Sequence, residues 1–396
     1  MDVQKVIDDH IESLNSRLRE INRKIHDNPE LAFKEHFAHD TLCNYLEECG
    51  FKVTRHAYGI DTAFEAVYGE GGRLVNFNCE YDALPLGHAC GHNLIATAGL
   101  TAFLALTYAL KSTGTPGRVQ VLGTPAEENG GGKIDLLKAG AYKGVDASLM
   151  AHPIGQDGKD AATFLSSARG ELIVTYKGKP AHAGANPWDG VNALDAFVAF
   201  YNNLSLLRQQ VPPDTRIHGY LVEGPKVPNI IPDTTTCLFQ VRSNRLKTLL
   251  PLLERAKNCA KAAALATGCE VEVKETAPYA DMLSCEAMND SYVKHLSRYG
   301  IEGIAGADST ASTDQGNISY EMPNIHATFK IPGPGNIHQE AFVVNAGTDE
   351  AHHAAVTTGK VLALTGFDVL TNDEFFNKAV NDWKTERAKA DDPSQP

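Results

Sequence analysis

Cysteine, histidine and glutamate recur in this chain in short motifs suited to metal-dependent hydrolysis. Cys90 and His92 lie in GHACGHN, Glu127 and Glu128 in GTPAEENGGG, His152 in LMAHP and His338 in GNIHQEAF. Thiolate, imidazole and carboxylate are the side chains that hold zinc-like ions. Cys90 and His92, one residue apart, can converge on one ion or straddle two. Adjacent glutamates on extended backbone point in opposite directions, so one can bind metal while the other faces substrate. In a poorly hydrated cleft the pair also repel, which raises the proton affinity of the unligated carboxylate. That suits a general base, which takes a proton from an activated water and returns it to a leaving amine.

Each motif has a plainer reading. Cys90 and His92 can be a buried thiol beside a hydrogen-bonded imidazole, the glutamates a solvated acidic pair before a turn, and His152 a core histidine. His326 falls inside a strand, where it is a weaker candidate for substrate contact, and His352 and His353 are expected on the exposed face of a closing helix. ENGGGKI could cradle a phosphate, but a Walker-type loop needs Ser or Thr where Ile134 stands, and two glutamates would repel the anion.

Placement discriminates between these readings. Strand-like runs at 74–79, 119–123 and 147–151 alternate with helical stretches at 94–110 and 134–139, the pattern of a largely parallel sheet with helices on both faces. Each strand runs straight into a chemical motif, and a later strand at 325–331 leads to the loop of His338. Ligands gather beyond the carboxyl ends of strands in such sheets, so four remote segments deliver their polar residues to one edge. An opening helix is expected from the spacing of Ile7, Ile11, Leu14, Leu18, Ile21 and Ile25, ending where Pro29 disfavours helical geometry at Asn28.

Between 168 and 278 the texture changes to strand (171–177), helix (191–210), two strands (216–222 and 235–242), helix (246–266) and strand (270–274). This is a ferredoxin-like βαββαβ unit, inserted as a lid or dimerisation domain (168–278) into a discontinuous catalytic domain (1–167 and 279–396). His182 in GKPAHAGANP, Asn229 in VPNIIPD and Arg242 at a strand end are the groups there that could polarise a carbonyl and grip a carboxylate. The polar tail from Lys384 onward is expected to fray.

A formal charge of -13 argues against a nucleic-acid surface. Eight scattered cysteines without a CxxC pair fit reduced thiols. The first residues lack the pattern of a secretion signal, and no run approaches 18 consecutive apolar residues. A cytoplasmic protein that binds neither nucleic acid nor membrane is expected.

The ordered set DALP, HACGHN, TPAEE, AHP, GKPAHAGANP, VPNIIPD and a late histidine resembles the aminoacylase and carboxypeptidase type of di-metal amidohydrolases, in the branch of hippurate and auxin-conjugate hydrolases. EYDALP, HACGHN and AEENGGGK are most similar to the Xaa-Arg dipeptidase subgroup, which acts on dipeptides such as β-alanyl-lysine. The resemblance implies two divalent ions per subunit bridged by Cys90. His92 and His152 would complete one ion, Glu128 and His338 the other. It further implies Glu127 as base, His182 reaching across a homodimer interface to stabilise the oxyanion, and Asn229 and Arg242 binding the substrate carboxylate. Related branches carry Asp where this chain has Glu80 and Asn93, which bears on metal choice. Thiolate and imidazole favour zinc over manganese or cobalt. The expected activity is hydrolysis of small dipeptides or N-acyl amino acids. The alternatives are an amide-forming or amide-exchange enzyme, a hydrolase using Cys90 as nucleophile, and an inactive binding scaffold.

Overall fold

The computed structural model describes residues 2–392. Its strands are β1 (Val53–Arg55), β2 (Phe64–Glu70), β3 (Leu74–Cys79), β4 (Gly117–Gly123), β5 (Ala147–Ile154), β6 (Ala161–Leu165), β7 (Ala168–Lys177), β8 (Arg216–Glu223), β9 (Thr234–Ser243), β10 (Glu270–Glu275), β11 (Ile304–Asp308) and β12 (Asn324–Lys330). The helices are α1 (Val3–Asp27), α2 (His36–Glu48), α3 (His92–Thr113), α4 (Gly132–Lys138), α5 (Ala193–Leu207), α6 (Leu246–Thr267), α7 (Glu286–Ser297), α8 (Gln315–Ser319), α9 (Glu340–Ala346), α10 (Asp349–Thr371) and α11 (Asp373–Asp391). They form two compact units. One runs to Leu165 and resumes over Met282–Ser309 and Thr313–Asp392; the other is Ser166–Asp281 with Thr310–Ser312.

The first unit holds an eight-stranded sheet in the order β1-β2-β4-β3-β5-β12-β6-β11. β4, β3, β5 and β12 are mutually parallel neighbours, while β1, β2 and the β6–β12 pairing are antiparallel. Every residue of β3 is buried, as expected of a strand covered on both faces. β4 shows the two cores directly. Val119 and Val121 face the main core with α1, α3 and α10, whereas Leu122 turns to a second core with Leu136, Tyr142, Ile318 and Met322. The carboxyl ends of the four parallel strands therefore share one edge, and the motif-bearing loops leave from it.

α1 buries Ile7, Ile11, Leu18, Ile21 and Ile25 as its periodicity predicts, with Leu14 partly buried, and Asn28 leaves helical geometry before Pro29. α3 is long and apolar enough to cross a membrane, though Thr and Gly interrupt it; it is instead a core helix packed on β3, β4 and β5, with nearly every side chain buried. The second unit is a four-stranded antiparallel sheet in the order β10-β7-β9-β8, the ferredoxin-like arrangement, with α5 and α6 on one face. Strict alternation of burial along β7 puts Leu172, Val174 and Tyr176 under those helices.

Two expectations fail. The tail does not fray at Lys384: α11 continues to Asp391 and buries Ala390. Trp383 Nε1 donates to Ser319 O at 2.9 Å, Arg387 Nε donates to Tyr320 O at 3.0 Å, and the guanidinium lies 4.7 Å from the Tyr320 ring centroid. An amphipathic arginine can anchor a polar stretch that composition alone makes look loose. His352 is not exposed. It is 5% exposed, accepting at Nδ1 from Asn22 (3.1 Å) and donating from Nε2 to Asn15 (3.0 Å). His353 is exposed as expected.

Arg387→Ala should lower the unfolding free energy by about 1–2 kcal/mol in urea denaturation, from the lost hydrogen bond and ring contact; a freely fraying tail would leave it unchanged. Burial, with Arg19 nearby, lowers the His352 pKa from 6.5 to about 4. The unfolded chain then binds more protons between these values, so stability is lost as pH falls from 6.5 toward 4. His352→Gln should flatten part of that slope in denaturation measured at pH 7 and pH 5.

Candidate metal centre

The site is built around His92, at the start of α3 and fully buried. Its Nδ1 lies 2.9 Å from Asp82 Oδ1, and the other Asp82 oxygen accepts the Glu128 backbone N–H at 2.9 Å. Asp82 thus fixes the ring's orientation and turns Nε2 inward, and although burial opposes it, Asp82 raises the ring's pKa well above 6.5. Around Nε2 stand Glu80 Oε2 at 3.6 Å, Glu128 Oε1 at 3.8 Å and Glu127 Oε2 at 3.9 Å.

Cys90 and His152 meet beside it, with Sγ 3.3 Å from Nε2. His152 Nδ1 donates to Pro153 O at 2.7 Å, so this histidine also turns a lone pair inward. His338 Nε2 is 3.5 Å from Glu128 Oε1, its ring half exposed. The His338 backbone N–H donates to Ala89 O at 2.7 Å, clipping the late loop onto the GHACGH segment. Three groups result whose ligand atoms lie within 4.8 Å of one another: Cys90, His92 and His152; Cys90, Glu128 and His338; and Glu80, His92 and Glu127. All five residues expected as ligands are brought together, with Glu127 among them.

Unusual backbone holds the pieces. Gly91, between Cys90 and His92, has φ 73°, and a Cβ there would lie 2.6 Å from Pro153 Cγ. Ala126 and His338 take left-handed conformations at φ 61° and 68°, which non-glycine residues adopt at a cost. The glutamates are not on extended backbone as expected. They sit on a turn entered through Ala126, whose N–H is held by Glu35 Oε1 at 2.9 Å.

The charges do not balance within the protein. Glu80 and Asp314 pair with the ammonium of the fully buried Lys133, while Asp82, Glu127 and Glu128 stand around His92. Lys133 Nζ is bonded to Glu80 Oε1 and, at 2.6 Å, to Asp314 Oδ1. Burial, then Glu80 and Glu128, push the Glu127 carboxyl well above the usual range. Glu128 is buried too, but His338 and His92 bring it down to about 2. Burial and His92 lower His152 to about 4, and burial and Glu128 raise the Cys90 thiol. Nε2 of His92, Oε1 of Glu128 and Oε2 of Glu80 are buried without hydrogen-bond partners. Unpartnered nitrogen and oxygen ligand atoms beside a thiol, among excess carboxylates, fit divalent cations.

Sequence reasoning missed Asp82, although it lies in the DALP motif, and weighed Lys133 only as part of a phosphate loop. In the second unit His182 is exposed, and the backbone N–H groups of Gly184 and Ala185 approach its Nδ1 at 3.2 and 3.1 Å. Nδ1 is therefore the acceptor, and Nε2 carries the proton. Residues 181–183 run antiparallel to 229–231, which puts His182 next to the segment of Asn229. Arg242 is half-buried on β9, its guanidinium bonded to Thr310 O, Ser312 Oγ and Gln240 Oε1.

A parallel sheet whose strand ends gather a thiol, imidazoles and paired carboxylates, interrupted by a ferredoxin-like unit, defines a metal-dependent amide hydrolase. Peptidase family M20/M25/M40 matches residues 77–357. The chain belongs to that family. It is 41% identical over 381 residues to the Xaa-Arg dipeptidase of Mus musculus, covering 91% of this chain and 88% of that protein. It is 29% identical over 392 residues to one of the subunits of the p-aminobenzoyl-glutamate hydrolase of Escherichia coli strain K12, covering 91% of this chain and 81% of that subunit. The fold is that of a dinuclear metal-binding M20 peptidase from Bacillus subtilis, with a TM-score of 0.64 at 20% identity over 89% of this chain and 98% of that one.

Lys133→Met should cost about 3–5 kcal/mol of stability, because it leaves Glu80 and Asp314 buried without their cation. Chemical denaturation measures this; a surface lysine would show almost none of it.

Proposed function

We propose that this protein hydrolyses the amide bond of small dipeptides or N-acyl amino acids bearing a free carboxylate. The observation that carries the reading is the convergence of Cys90, His92, Glu128, His152 and His338, with Glu127 alongside, in a pocket with excess negative charge. Cys90, His92 and His152 would hold one divalent ion, and Cys90, Glu128 and His338 a second. Such ions, when bound, supply Lewis acidity that polarises the scissile carbonyl and lowers the pKa of a coordinated water to about 7. Zinc is favoured over manganese or cobalt by the thiolate and imidazole donors.

Glu127 moves the proton. Burial and its acidic neighbours raise its proton affinity, which suits a carboxylate that accepts a proton from the attacking water and then gives it to the nitrogen of the departing amine. In the second unit His182 presents Nε2–H as the donor for the developing oxyanion, while Asn229 and Arg242 receive the substrate carboxylate. Similarity to the Xaa-Arg dipeptidase favours a basic residue on the amine side of the bond. The open edge of β8, with Tyr220 60% and Val222 53% exposed and Leu206 on α5 at 75%, supports a homodimer through the second unit. Eight free cysteines support a cytoplasmic location.

Glu127→Gln should lower kcat by at least about 10²-fold while metal content, read by atomic emission, stays at two ions per chain. Chelation should inactivate the wild type on a β-alanyl or α-dipeptide substrate, and added Zn²⁺ or Mn²⁺ should restore it. Full activity after exhaustive chelation would favour Cys90 as a nucleophile instead.

A further inference from the structure

Glu80 has no assigned part in the chemistry, yet it is fully buried at the end of β3 and aimed at the centre. Lys133 holds its Oε1, while its Oε2 has no hydrogen-bond partner and faces His92 Nε2 at 3.6 Å. The His92 atom is equally unpartnered, because Asp82 takes the proton-bearing Nδ1. The two atoms thus face each other across a gap too long for a hydrogen bond. Unpartnered buried groups in that position cost several kcal/mol unless something lies between them.

The spacing fits a cation. Nitrogen and oxygen ligands each about 2.0–2.2 Å from a shared ion lie roughly 3–4 Å apart. The contacts of His92 Nε2 with Glu80, Glu128 and Glu127 run from 3.6 to 3.9 Å. A water could bridge the two atoms, but it would sit among carboxylates that together already exceed the one ammonium.

We propose that Glu80 is itself a metal ligand, giving Oε2 to the ion held by His92, with Lys133, itself held by Asp314, fixing its other oxygen in place. This rests on the reading of His92 as a ligand. It makes Lys133 a positioning residue for the metal, since the ammonium decides which way the carboxylate turns. It also gives the two ions unlike surroundings, one carrying an additional hard donor.

The test is metal binding, independent of turnover. Protein stripped by chelator dialysis is titrated with Zn²⁺ against a chromophoric chelator, and the Co²⁺-loaded form is examined for its d–d bands. Wild type should take two ions per chain. Glu80→Gln should weaken one of them by at least about 10–100-fold, leave the other nearly unchanged, and alter the Co²⁺ band intensity as that ion loses a ligand. Lys133 keeps Asp314 in this variant, and circular dichroism checks its fold. Should it not fold, Glu80→Asp keeps the ion pair but shortens the reach by one methylene, and the same single-site weakening is expected. Both affinities and the Co²⁺ spectrum unchanged, in whichever variant folds, would overturn the assignment of Glu80 alone. A wild-type chain that takes up no ion would overturn the metal-centre reading itself, and this one with it.

Discussion

One carboxylate ties the centre together. Asp82 gives one oxygen to the His92 ring and the other to the Glu128 backbone, joining the loop after β3, the first turn of α3 and the loop after β4. Through it, His92 and Glu128, the proposed ligands of different ions, are set by the same small group. The rest follows from that constraint. His92 presents Nε2, Glu128 lies between His92 and His338, and Glu127 is left where burial and its acidic neighbours keep it protonated more readily than a free carboxylate. Removing water from such a cluster is unfavourable unless cations offset it, and Lys133 offsets part of it.

Part of the backbone strain lies in the same place. Ala126 and His338 take left-handed backbone, and Gly91 does so where no side chain would fit against Pro153. These positions sit immediately beside the proposed ligands and base, which is where a fold stores conformational cost for the sake of geometry. The surrounding structure can carry it because the two cores on either face of the sheet are dense and continuous, with β3 buried along its whole length.

Much of this is legible in the chain itself. Strand runs feeding chemical motifs identify the sheet edge, and the ferredoxin-like texture marks the second unit, because both depend on local periodicity. The ligand side chains are legible because their types are scarce and chemically distinctive. What escapes are relations between segments. Asp82 looks like any aspartate in a loop until His92 is beside it. Lys133 reads as part of a possible phosphate loop until Glu80 and Asp314 close around it from the end of β3 and the start of α8. His352 passes for a surface residue because only Asn15 and Asn22 on α1, some 330 positions earlier, explain its burial. The α11 tail is misjudged for the same reason: its composition is polar, but its anchor is the carbonyl of Tyr320.

The split architecture has a bearing on how the centre comes into being. His92 leaves the ribosome long before His338, with the whole second unit translated in between. At roughly 5–20 residues per second the interval is on the order of tens of seconds. Until then the chain lacks both the His338 imidazole and β12, the strand that pairs with β5. The loop that clips onto Ala89 is the last of the proposed ligand segments to be made.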